Sequence, residues 1–126
     1  MTASDLTRSE RGGISKFVFM LLAWALVACI VAQTFIAGLA IFQDSAQWRT
    51  HVIFVHLFEY LPLLMLIFAF VGRMPGRTRW QCLALFLLIF SQYTTANLPG
   101  AGALHPVTAL ALIVLALHVA LKASRR

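Results

Sequence analysis

Four stretches of the chain are strongly apolar, at residues 14–42, 50–71, 80–95 and 105–121. Their lengths bracket the ~20 residues with which a helix crosses a hydrocarbon core. The breaks between them have turn chemistry. The first is Gln43, Asp44, Ser45, Ala46 and Gln47; the second, at 72–79, holds two Gly, one Pro and three Arg; the third, at 98–103, is uncharged and holds Pro99, Gly100 and Gly102. This pattern predicts an all-α protein, a bundle of four antiparallel transmembrane helices running up-down-up-down over residues 14–121. Polar tails at 1–13, expected to be mobile, and at 122–126 would flank it. At ~1.5 Å per residue the first stretch is longer than a ~30 Å core and is expected to tilt or protrude. Pro62 removes one backbone hydrogen bond and is expected to kink the second helix just after Glu59. Pro106 is expected at the first helical position of the fourth.

Composition strengthens the membrane reading. Of the 126 residues, 61% are hydrophobic and only 11% charged, against roughly 45–50% and 25% in a soluble domain. The formal charge of +6 does not point to nucleic acid, because the basic residues sit at the ends of apolar stretches, where they meet lipid headgroups. Arg8, Arg11, Lys16, Arg73, Arg77, Arg79, Lys122, Arg125 and Arg126 fall on alternate ends of the four stretches, and Arg49 alone falls on the other side. By the positive-inside rule this split of nine against one places both termini and the middle loop in the cytoplasm of a cell bounded by an inner membrane. Residues 26–29 fit a lipoprotein cleavage box ending at Cys29, but the sequence stays apolar to Phe42, as a spanning helix does. Cys29 and Cys82 both lie inside apolar stretches and read as small packing residues.

The polar residues within the stretches are segregated. Given that topology, Gln33, Thr34, His51, His56, Glu59, Ser91, Gln92, Thr95, His105 and Thr108 all fall in the outer half, while the inner half is Leu, Ile, Phe, Ala and Val with His118 near its lower edge. Ionisable groups at membrane depth are costly and usually face a bundle interior, so a polar cavity or cofactor pocket is expected in the outer half. His56, Glu59 and Tyr60 share one helix face. His51 lies ~140° round from His56 at ~100° per residue, so the two cannot enter one small site.

Two neutral imidazoles from different helices can clamp a haem iron in a bundle core. His56 and His105 are the expected axial pair, with Gln33, Gln92 and Glu59 as their hydrogen-bonding partners. Their depths differ, since His56 is ~9 Å beyond Thr50 at ~1.5 Å per residue. The haem must therefore lie tilted near the outer surface, or His51 must replace His56. A hydrolytic metal site built from His51, His56, Glu59 and His105 is opposed by the same face conflict. No nucleophile elbow, phosphate loop or CxxC pair is present, so no catalytic class is assigned.

The whole chain resembles an uncharacterised family of small bacterial four-helix membrane proteins, known as a domain of unknown function. The likeness is carried by residues 35–42, by the His-containing start of the second stretch and by Leu61 and Pro62. It continues in the loop at Gly72, Arg73 and Pro75, in Ala96 and Asn97, and in Leu104, His105 and Pro106. That resemblance implies a fold and no activity. More remotely the chain is similar to haem A synthase and other four-helix b-type cytochromes, in which His residues on the second and fourth helices hold haem and a Gln precedes a Gly on the first. Here Gln33 and Gly38 stand five apart, His56 and His105 are the matching positions, and His118 lacks the partner a second haem would need. The implied function is haem b binding for electron transfer in an inner membrane, with lipid and a redox or membrane-protein partner. The alternative is a non-enzymatic membrane subunit or small-solute carrier that uses the polar outer cavity.

Overall fold

The structure, a computed structural model, describes residues 1–125; Arg126, counted above in the cytoplasmic basic group, lies outside the described residues. Five helices occur among the described residues: α1 (Ala3–Phe42), α2 (Gln47–Phe58), α3 (Leu61–Val71), α4 (Gly76–Asn97) and α5 (Leu104–Ser124). The second apolar stretch is thus divided where Pro62 predicts, with Glu59 and Tyr60 forming the joint between α2 and α3. Around the joint the Glu59 amide donates to the Val55 carbonyl, and those of Leu63 and Leu64 both donate to Tyr60. No amide at position 62 is left to bond Phe58.

The first thirteen residues, expected as a polar tail, are largely helical. From Ala3 onward they are the exposed opening turns of α1. A capping box starts them: the Thr2 hydroxyl accepts from the Asp5 amide, and the Asp5 carboxylate takes the Thr2 amide in return. This satisfies two of the amides that a helix start leaves orphaned. The Thr2 hydroxyl and amide also hold the Asp5 carboxyl below the usual carboxylate range. At α5 the helix begins two residues before Pro106, with Ala103 as an N-cap that makes no side-chain bond.

The helices pack as a ring in which α1 touches α2, α3 and α5, while α4 touches α3 and α5. Four of them contribute a stripe at helical spacing: Phe19, Ala23, Leu26 and Ile30 from α1; Met65 and Ala69 from α3; Cys82, Leu85 and Ile89 from α4; Leu112, Ala116, Val119 and Ala120 from α5; α2 adds Phe58. Alanines at these crossings let backbones approach, which is what drives helix association when the surroundings are as apolar as the core. Cys82 is fully buried in this stripe and both cysteines are free, in line with a packing role. At the end where α1 passes α3, a Cβ on Gly72 would stand 3.1 Å from the Phe68 carbonyl and 3.4 Å from Ser15 Cβ. A side chain there would press on its neighbours, and glycine leaves the contact relaxed.

Outside the ring the surface stays apolar, with Phe35, Leu57, Leu110 and Val114 each more than 60% exposed. Three helical stretches are long and apolar enough to cross a membrane: Ala3–Phe42, Gln47–Val71 and Leu104–Ser124. Helix α4 is long enough but less apolar. Arg77, Arg79 and Gln81 open it and a polar run from Ser91 to Asn97 closes it, leaving an apolar middle of residues 82–90.

Candidate functional site

The polar residues that the sequence segregates do gather at one end of the ring. There the end of α1, the start of α2, the end of α4 and the start of α5 surround a cavity of ≈ 470 Å³. Its walls include Gln33, His51, Gln92, Tyr93 and His105, and its floor is apolar, with Ile30, Phe58, Ile89 and Leu112. Exposed residues such as Thr34, Asn97 and Pro106 form part of the lining, so the cavity opens at this end. Below the floor the core stripe is close-packed, with Phe19, Leu26, Met65 and Leu85 fully buried.

Two histidines face one another in the cavity, and they are His51 and His105. Their ring centroids are 6.3 Å apart at 60°. His51 Nδ1 donates to the Gln33 carbonyl at 3.1 Å, and the Gln33 side-chain amide donates back to the His51 carbonyl at 2.8 Å. The second pair repeats the device. His105 Nδ1 donates to the Gln92 carbonyl at 3.1 Å, also lying 3.2 Å from the Thr95 hydroxyl. The Gln92 amide, oriented to satisfy both its atoms, donates to the His105 carbonyl at 3.2 Å and accepts from Thr108. Because a carbonyl can only accept, each Nδ1 carries the hydrogen. When such a ring is neutral its lone pair is on Nε2, the other ring nitrogen. A hydrogen bond of this kind fixes the tautomer and orientation of metal-binding imidazoles. No sequence repeat signals the reciprocity; it appears only when the α1–α2 and α4–α5 corners come together.

The expected pairing of His56 with His105 is not formed. The ~140° turn between His51 and His56 brings His51 into the cavity, and His56 leaves it with a side chain 55% exposed. Neither His56 nor Glu59 lines the cavity. They meet Tyr93 instead. The Tyr93 hydroxyl donates to Glu59 Oε2, and His56 Nδ1 lies 3.3 Å from that oxygen and 3.2 Å from the hydroxyl. Glu59 is therefore not a hydrogen-bonding partner of a cavity imidazole. Tyr93 is the residue that sequence reasoning passes over. Its signal is its place one residue after Gln92, which turns it ~100° toward the α2 side. His118 is exposed on α5 and far along the helix from this end. Among the described residues no group of three His, Cys, Asp or Glu side chains converges, so the four-residue set with the face conflict is not assembled.

Residues 33–98 match a family described as of unknown function, DUF6220. The matched segment takes in Gln33, His51, His56, Glu59, Gln92 and Tyr93, and ends before His105. No curated protein and no solved structure matches the chain.

Proposed function

The chain belongs to the DUF6220 family of unknown function, and we propose that it is a multi-pass inner-membrane protein that binds haem b between His51 and His105. One observation carries this reading, the pair of reciprocal Gln–His couples on opposite walls of the cavity. The 6.3 Å between the ring centroids of His51 and His105 is a separation at which both rings would be able to hold one iron. In both rings Nδ1 is turned to a backbone carbonyl, which leaves Nε2 as the nitrogen that would hold the iron. The cavity volume of ≈ 470 Å³ lies within the range of about 300–1,000 Å³ common for cofactor pockets. An apolar floor suits a macrocycle and a polar rim suits its carboxylates. Bound there, haem supplies one-electron transfer; the protein's share is to fix both imidazoles and to keep the lower half dry.

This reading includes the membrane architecture. All four apolar stretches, α4 among them, span the bilayer as an antiparallel bundle, and the distribution of Lys and Arg sets both termini in the cytoplasm. The cavity then opens on the outer face. A second reading, a non-enzymatic subunit or small-solute carrier, is favoured by Gln33 Oε1, which is buried without a donor. A hydroxyl or ammonium on a solute would supply one.

Absorption spectroscopy of the detergent-purified protein separates the two. A low-spin b-type spectrum is expected, lost in His51→Ala and in His105→Ala and kept in His56→Ala and His118→Ala. Absence of a Soret band, even after reconstitution with haem, overturns the haem reading and leaves the solute pocket.

A further inference from the structure

Tyr93 belongs to two places at once. It lines the cavity, yet its hydroxyl reaches Glu59 and His56, which do not. Glu59 is the one carboxylate set within an apolar stretch, and it is only 9% exposed. Such a group is costly unless a partner or a proton stabilises it. His56 is the one basic side chain within ion-pairing distance of a carboxylate among the described residues. The hydrogen count of the cluster is informative. With the Tyr93 hydrogen committed to Glu59 Oε2, His56 Nδ1 faces two oxygens and must itself carry a hydrogen to bond either. The His56 ring lies against the Tyr93 ring, with centroids 5.7 Å apart at 21°, and its other edge is open to the surroundings.

We propose that Glu59, Tyr93 and His56 form a proton-exchange site, in which His56 passes protons between the exposed surface of the bundle and a carboxyl group behind the cavity wall. A proton arriving at Nε2 makes the imidazolium. The Nδ1–H bond then breaks as a new O–H bond forms on Glu59, leaving both groups neutral. Tyr93 keeps its own O–H bond throughout and steadies the carboxyl group through Glu59 Oε2. Each step moves one proton and no electron. The other titratable groups around the cluster are Tyr60 at the α2–α3 joint and, across the cavity, His51 of α2 and His105 of α5. No Lys or Arg among the described residues pairs with it. The site does not depend on what occupies the cavity.

The test uses the full chain in lipid nanodiscs and infrared difference spectroscopy after a pH jump, with Glu59→Gln subtracted to isolate the Glu59 carboxyl band. Stepping from about pH 9 to about pH 4 is expected to raise that band rapidly. His56→Ala is expected to slow its rise at least about tenfold, and added imidazole, which can occupy the vacated half-exposed place, to restore it. His56→Gln, closer in shape, is expected to be slow as well. A purely structural bond would show no rescue. An unchanged rate in both variants, a slowed rate that imidazole does not restore, or a Glu59 band that never responds to pH overturns the proposal.

Discussion

At the residue scale, the carbonyl oxygens on His51 and His105 do more than hold rings in place. They assign the hydrogen to Nδ1, so the chemistry left to each ring is that of a lone pair. Glu59 shows the opposite arrangement, a buried acceptor met by side chains from two helices. Tyr93→Phe removes one of these donors without changing the shape of the ring. It is expected to destabilise the protein by about 1–3 kcal/mol, the cost of leaving a buried acceptor short of its partner. Reversible unfolding in mixed detergent would measure this, with exposed His118→Ala, expected within about 0.5 kcal/mol of wild type, as the reference. Which residues are polar, and that they share one half of the bundle, can be read from the chain. Which of His51 and His56 turns inward cannot. That choice is the rotation of α2, decided by where Phe58 of α2 and Met65 of α3 meet the core stripe, and no period in residues 51–60 announces it.

At the scale of elements, two helix boundaries follow from local chemistry and one departs from it. Pro62 divides the second stretch, and the Thr2–Asp5 box extends α1 through what composition alone reads as a tail. The exception is the end of α3. Gly72 stands ready as a terminator, yet it is Arg73 that takes the left-handed conformation, with φ of 54°. Its amide donates to the Phe70 carbonyl and that of Met74 to Ala69, closing the helix. A side chain in that conformation costs about 1–2 kcal/mol, part of which glycine loses again through its freer unfolded chain. Arg73→Gly is therefore expected to raise stability by about 0.5–1 kcal/mol in the same unfolding assay. A fall would mean that the Arg73 side chain contributes more than its backbone costs. Helix α4 carries a related tension: Arg77 and Arg79 occupy its first turn, where the helix dipole disfavours cations. Arg79 lies 4.4 Å from the centre of the Phe70 ring, which offsets part of that cost.

At the scale of the whole molecule, inside and outside are equally apolar, and what differs is the end. One end holds the cavity and a single Arg49; the other holds most of the cations. The proposed orientation predicts that an alkaline phosphatase fusion after Gly102 is active in cells and one after Gly76 inactive, and the reverse pattern would place the cavity in the cytoplasm. The cavity is also blind. Its floor at Ile30, Phe58, Ile89 and Leu112 rests on closely packed core, so in a bilayer the electrical potential would fall almost entirely across that sealed half. A unit charge carried through the whole thickness does work of about 2.3 kcal/mol per 100 mV, whereas one entering the cavity from its open end crosses almost none of the field. If the bundle spans a membrane as proposed, a charge bound at this end would therefore be almost indifferent to membrane voltage.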